Sequence, residues 1–295
     1  MSDKAHVNAP DRAADNTATA KHRAVLITGC SSGIGLHAAR ALQQRGFQVF
    51  ATARKPNDVQ KLAAEGLNAQ LLDLDDAQSI GNSVSQVLDE TGGNLYGLFN
   101  NGGFGQSGAV EDLPTEALRA QFETLFFGWH ELTGQVIPVM RRQGYGGIVQ
   151  NSSVLGFTAM PYRGAYNSVK FAIEGLSDTL RLELRGSGIH VSIIQPGPIR
   201  SQFRSNALQK FHDHINHQAS AHRDHYEATL NRLQNSTDAS RFTLGPEAVT
   251  NKLLHALTSS KPKARYRVTT PTIAFSIAKR LLPGSMLDKV LASIP

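Results

Sequence analysis

Three side chains near the middle of this 295-residue chain have the types and spacing of a proton-transfer site. Tyr166 and Lys170 lie four residues apart in Tyr-Asn-Ser-Val-Lys; on a helix such a pair shares one face, with about 6 Å of rise between them. A phenol titrates near 10 in water, and a fixed cation beside it favours the phenolate. Bringing it to about 7 takes roughly 4 kcal/mol of differential stabilisation, within reach of a lysine joined by a second positive charge. Ser153 stands in Gln-Asn-Ser-Ser, at the end of an apolar run that reads as a strand. A hydroxyl there can hold a carbonyl oxygen while Tyr166 exchanges a proton with it, which is what hydride transfer to the carbonyl carbon needs.

A second constellation lies near the start. Thr28-Gly29-Cys30-Ser31-Ser32-Gly33-Ile34-Gly35 falls between an apolar β-branched run and an amphipathic one. There, glycines let the backbone approach a pyrophosphate and a helix N-terminus supplies N–H donors. Gly29, Ser31, Ser32, Gly33, Ile34 and Gly35 are therefore candidate cofactor-binding residues, in a spacing that differs from the commoner G-x-G-x-x-G. Cys30 reads as a small filler, since nothing pairs it with a histidine. The next strand ends in Ala53-Arg54-Lys55 with no acid from Phe47 onward, so Arg54 would meet a 2′-phosphate and favour NADP(H). Asp73 and Leu74 either meet the adenine edge through a carboxylate and a main-chain N–H, or an Asp of this run caps the next helix. Asn100-Asn101-Gly102-Gly103 either passes its backbone, at Asn100 and Gly102, beside the ribose or makes a plain turn.

These groups need a scaffold, and the pattern predicts one. Strands are expected at 24–28, 47–53, 69–72, 95–99, 147–151, 190–195 and 265–268. Helices are expected at 34–44, 58–65, 77–90, 115–142, 165–185 and 246–257. Strand and helix alternate, the signature of a Rossmann-type, doubly wound, mostly parallel seven-stranded sheet with helices on both faces in a single α/β domain. Residues 1–22, poor in large apolar side chains, are expected to form a disordered arm, leaving 23–295 as the folded domain. Composition excludes other classes. One cysteine among 295 residues forms no internal disulfide and fits a reducing cytoplasm. No apolar run approaches the roughly 18 residues of a membrane span. Most of the net charge of +6 resides from Arg241 onward, without any nucleic-acid-binding motif, so no nucleic-acid partner is expected.

Taken together, the glycine loop, Asn-Asn-Gly-Gly, Ser153, Tyr166-x-x-x-Lys170 and Pro196-Gly197-Pro198-Ile199 resemble a short-chain dehydrogenase/reductase over about residues 23–203. Gly164-Ala165-Tyr166, Pro-Gly-Pro-Ile-Arg and Lys261-Pro-Lys-Ala-Arg-Tyr266 look closest to the retinol and 17β-hydroxysteroid dehydrogenase-like branch and to bacterial NADP-dependent aldehyde reductases. The resemblance implies Tyr166 as acid/base, Lys170 as ribose anchor and modulator of the phenol, and Ser153 as polariser of the substrate. It also implies that Pro196, Gly197, Ile199 and Ser201 hold the nicotinamide carboxamide, and that the chain forms a homodimer or homotetramer. One departure stands out: in Phe122-Glu-Thr-Leu-Phe-Phe-Gly128 the family places asparagine at position 125, where it bends the helix and links the lysine to solvent. Leu125 cannot do this, which implies slower proton delivery or a weakened enzyme.

The expected activity is reversible NADP(H)-dependent reduction of lipophilic aldehydes or ketones to alcohols. The alternative is a catalytically impaired NADP(H)-binding sensor or interaction protein, with a sugar-nucleotide epimerase a more distant third. Residues 201–243 are expected to form a substrate lid, with Phe203, Phe211, Tyr226 and Leu230 covering an apolar ligand, and 244–295 to complete the substrate side. His212, His214, His217, His222 and His225 lack the companions of a metal site, and none is expected. The basic amphipathic run 273–282 either touches a membrane surface or a lipophilic substrate, or packs on the sheet or a second subunit.

Overall fold

The computed structural model describes residues 23–234 and 242–293; the expected arm at 1–22 and the lid positions 235–241 lie outside the described residues. Seven strands, β1 (Ala24–Ile27), β2 (Gln48–Ala53), β3 (Asn68–Leu71), β4 (Gly97–Asn100), β5 (Gly146–Asn151), β6 (Ile189–Gln195) and β7 (Arg265–Arg267), form one sheet in the order β3-β2-β1-β4-β5-β6-β7. Every pair is parallel, so the expected "mostly parallel" sheet is wholly so. The chain winds outward from β1 to β3, then returns to start β4 on the other side of β1. This reversal leaves a crevice above the carboxyl ends of β1 and β4, where ligands bind in such sheets.

Helices cover both faces: α1 (Gly33–Gln43), α2 (Pro56–Ala64), α3 (Ala77–Thr91), α4 (Thr115–Phe122), α5 (Gly128–Gln143), α6 (Gly164–Glu183) and α9 (Glu247–Thr258). Buried Val25 and Ile27 belong to one apolar cluster with α1 and α9; Leu26, the residue between them, belongs to the other with α3, α5 and α6. The strand's two-residue period thus feeds two cores, as in a sheet buried on both sides.

The single helix expected at 115–142 is two. Between α4 and α5 the residues Glu123–Phe127 form a π-helical turn. Two contacts with the loop after β3 account for it. Thr124 Oγ1 donates to Asp75 Oδ1 at 2.6 Å, and Gly128 sits so close that a Cβ there would lie 2.2 Å from the Leu74 carbonyl oxygen. One extra residue in the turn satisfies both, a common way to bend a helix. The bend is present with leucine at 125.

Beyond β6 the chain forms α7 (Phe203–His214) and α8 (Arg223–Gln234), then, after β7, α10 (Thr270–Leu281) and α11 (Gly284–Ala292). In α10 the side turned inward carries Thr272 and Ser276, while Ile273, Ile277 and Leu281 are exposed. No helix among the described residues is long and apolar enough to cross a membrane.

Candidate active site

The glycine loop is held by backbone contact that side chains would prevent. Gly29 and Gly33 have φ of 71° and 58°, the left-handed region that favours glycine. A Cβ on Gly29 would fall 2.5 Å from the Cα of Gly102, and one on Gly35 2.2 Å from the carbonyl oxygen of Gly29. Asn101 ties the two loops: its Nδ2 donates to the Thr28 carbonyl at 2.9 Å and its Oδ1 accepts from Asn151 Nδ2 at 2.9 Å. Asn101 is the residue that reading by motif missed. The neighbouring Asn100 is fully buried and donates to Thr133 Oγ1, so its side chain turns into the core rather than the crevice.

The N-terminus of α1 is ready for an anion. Its capping residue Ser32 makes no side-chain cap hydrogen bond, and the first turn carries no acid; free N–H groups and the helix dipole therefore face Ser31 and Ser32 unopposed. Ser201 forms the opposite wall, its Cβ only 2.9 Å from where a Cβ on Gly33 would lie. Behind it, Gly197 presses on Thr269 and Thr272, and Ile199 pairs with Leu244, which fixes 196–201 over the loop. Arg54 and Lys55 are exposed immediately beyond β2. Asp73 accepts from the Asp75 N–H, and the Asp of this run that caps α3 is Asp76, which accepts from the Gln78 N–H. Buried Leu74 lies against Gly102. A backbone cradle with a bare helix terminus fits the pyrophosphate of a dinucleotide.

Cys30 is sealed inside the cradle. Its thiol donates to the Ile27 carbonyl, and burial pushes it up to about 12. At neutral pH the native protein is expected to be inert to an aromatic disulfide reagent and to release one equivalent of thiolate on unfolding; rapid reaction of the folded protein would contradict the packing.

Ser153, Tyr166 and Lys170 converge at the ends of β5 and α6. Ser153 caps the short helical turn Val154–Gly156 by accepting from the Leu155 N–H, and its hydroxyl lies on the side of the Tyr166 phenol, where it opposes the effect of burial. Lys170 Nζ donates to the Asn151 carbonyl at 2.8 Å and lies 5.5 Å from the centre of the Tyr166 ring. The expectation of a phenol drawn down toward 7 is not met by the protein alone. Burial raises Tyr166, with Ser153 pulling in the opposite direction, and burial lowers Lys170 to about 7 against the field of Glu174.

The segment expected to cover a ligand packs largely on itself. Phe211 and Tyr226 are fully buried in a separate cluster with Ala109 and Ile215, against which Leu230 packs; of the four aromatic and aliphatic candidates, Phe203 meets the site, edge-on to the Tyr166 ring at 5.3 Å. A clasp joins lid to body. Asp112 Oδ2 accepts from Tyr226 Oη and from Ser220 Oγ, each at 2.5 Å, and Tyr226 Oη accepts from the Ala109 N–H. Hydrogen bonds from Ser220 and then Tyr226 hold the Asp112 carboxyl below its ordinary value. The clasp is therefore complete above the normal carboxylate range and is lost as pH falls through the lowered value. Asp112→Asn is expected to raise hydrogen exchange in α7 and α8 at neutral pH, with the sheet unchanged. Of the histidines, His222 pairs with Glu111 and His214 with Gln106; no group of three His, Cys, Asp or Glu among the described residues could hold a metal.

A doubly wound sheet, a glycine cradle at its crevice and a serine, tyrosine and lysine over that cradle define a nucleotide-dependent oxidoreductase. The chain belongs to the short-chain dehydrogenase family, whose profile, described as short chain dehydrogenase, matches residues 23–211. It is 45% identical over 275 residues to the Escherichia coli (strain K12) oxidoreductase YbbO, covering 93% of this chain and 96% of that protein. It is 31% identical over 280 residues to the Bos taurus retinol dehydrogenase 8, covering 90% and 87%, in keeping with the retinol dehydrogenase-like branch. An NADPH-dependent 3-dehydrocapnine reductase of Ornithobacterium rhinotracheale is 30% identical over 278 residues, covering 91% and 95%. A short-chain dehydrogenase structure from Streptomyces avermitilis superimposes with a TM-score of 0.73 at 28% identity, covering 91% and 96%.

Proposed function

We propose that the protein is an NADPH-dependent carbonyl reductase acting reversibly on aldehydes or ketones with lipophilic bodies. The observation that carries this reading is the convergence of Ser153, Tyr166 and Lys170, with the Lys170 ammonium 5.5 Å from the Tyr166 ring and held on the Asn151 carbonyl, above a cradle whose neighbouring strand ends in Arg54 and Lys55. NADPH, when bound, supplies the hydride. Ser153 Oγ holds the carbonyl oxygen, and Tyr166 Oη gives it a proton as charge develops there. Lys170, anchored on the Asn151 carbonyl, holds the ribose and carries positive charge beneath the phenol. Glycines 29, 33, 35 and 102 with Ser31, Ser32 and Ile34 receive the pyrophosphate and adenosine side, Leu74 and Asp73 flank the adenine, and Pro196, Gly197, Ile199 and Ser201 take the carboxamide.

The relative described as an NADPH-dependent reductase supports the cofactor, and the name of the bovine relative supports a lipophilic substrate. The Phe203 ring beside Tyr166 agrees. Exposed Phe127 in the π-helical turn and exposed Leu176 and Leu182 on α6 support assembly with further copies, and one buried thiol supports a reducing, cytoplasmic setting. The test is loss of NADPH absorbance across a panel of long-chain and aromatic aldehydes and ketones, with NADH alongside. Turnover faster with NADPH supports the reading; tight NADPH binding with no turnover on any member overturns it in favour of a sensor.

A further inference from the structure

Trp129, the only tryptophan of the chain, lies on α5 directly beneath Lys170. The ammonium stands 4.4 Å from the centre of its ring, well within the distance at which a cation is attracted to an indole face. The indole is itself fixed: Nε1 donates to the Gly102 carbonyl at 2.9 Å. It is 2% exposed, Lys170 is 3% and Leu125 is 1%, and Leu125 fills the space against Gly103, where an added Cβ would come within 2.8 Å of its Cγ. The contacts close a ring. Gly102 holds Trp129, Trp129 carries Lys170, Lys170 reaches the Asn151 carbonyl, and Asn151 is tied through Asn101 to the loop that contains Gly102. Where the family resemblance implies a polar asparagine route toward the lysine, this chain places a hydrocarbon and an aromatic face.

We infer that Trp129 is a positioning residue for the Lys170 ammonium, holding the cation by its indole face and coupling it through Nε1 to the cofactor-side loop in place of the asparagine route. The inference rests on the reductase reading for its kinetic part only. The titratable groups facing Lys170 are Tyr166 and Glu174 of its own helix. From the elements packed against it, α5 offers the neutral indole, β5 the Asn151 carbonyl, the turn after β5 the Ser153 hydroxyl, and β7 offers Arg265, which is engaged with Glu174 and Asp178. The indole face favours the charged lysine, opposing the burial that lowers Lys170 to about 7. Removing the face lets the ammonium lose its proton at lower pH.

Two measurements test this. In the first, the pH dependence of kcat for NADPH-driven reduction is compared in the wild type, Trp129→Phe and Trp129→Leu. Trp129→Leu is expected to move the basic limb down by about half to one pH unit and to lower kcat at least severalfold with KM for the carbonyl little changed, and Trp129→Phe to restore most of the limb. Loss of activity with an unmoved limb in both variants would show a merely structural role and overturn the inference. In the second, which needs no turnover, the single tryptophan's fluorescence is titrated in the cofactor-free protein, with Lys170→Met as control and Tyr166→Phe to remove quenching by the phenolate. A transition near pH 7 that persists in Tyr166→Phe and vanishes in Lys170→Met supports the contact; a transition unchanged in Lys170→Met, or none in the wild type, overturns it. Failure of every carbonyl substrate with a lysine-dependent fluorescence transition would remove the reductase reading and leave the contact standing.

Discussion

Tyr166→Phe is expected to lower kcat/KM for NADPH-driven carbonyl reduction by about a thousandfold, within the range by which a positioned acid accelerates such a step. The substitution removes one oxygen from a ring that remains packed against Phe203, so the fold has little to lose. Ser153 keeps its bond to the Leu155 N–H, and Lys170 keeps the Asn151 carbonyl. NADPH affinity, read by quenching of Trp129 or by calorimetry, is expected to change less than about threefold, because the cradle is built from other residues. That separation is the sharp part of the expectation. A variant that retains a tenth of the activity would mean that the proton comes from elsewhere; one that loses cofactor binding too would mean that the phenol belongs to the cradle.

The second large effect is expected at Arg54. Replacing it by glutamate puts a carboxylate where the 2′-phosphate would meet a guanidinium, exchanging a charge-assisted hydrogen bond for repulsion. A loss of about 3 kcal/mol, close to a hundredfold in kcat/KM for NADPH, is expected, with NADH affected far less and its use improved by the new acceptor for a ribose hydroxyl. Arg54 is exposed at the end of β2, so stability should hardly change. Equal losses with both cofactors would remove Arg54 from the phosphate and place the preference in Lys55 or the backbone.

The strands and most helices were legible because a doubly buried sheet writes short β-branched runs between longer amphipathic ones, and all seven strands fall within two residues of expectation at each end. That Tyr166 and Lys170 lie together was legible for a different reason: Tyr and Lys at a four-residue interval declare a shared helical face. What escaped has long-range causes. The break at Glu123–Phe127 is imposed by Asp75 and Leu74, some fifty residues earlier, and nothing local to a run of Thr, Leu and Phe announces a widened turn. Asn101 carries the junction between loops while its equally polar neighbour Asn100 turns inward, an alternation that only the strand's register decides. The lid aromatics were read as ligand contacts because their spacing shows an apolar face without showing what it covers; Phe211 and Tyr226 cover each other. Trp129 carried no signal beyond its rarity, since its meaning lies in a contact with a residue forty-one positions away.

Tyr162 is the one described residue other than glycine with positive φ, 61°, a conformation that costs a bulky side chain about 1 kcal/mol or more. Its ring is surrounded by His222, His225 and Tyr226 of the lid, its carbonyl accepts from Gly108, and the helix bearing Tyr166 begins two residues later. The segment after β6 and the helix that bears Tyr166 are therefore joined at one residue: the ring that packs among α8 side chains stands on the turn from which α6 starts. The packing from α8 thus offsets the backbone strain at Tyr162, immediately ahead of the first turn of α6.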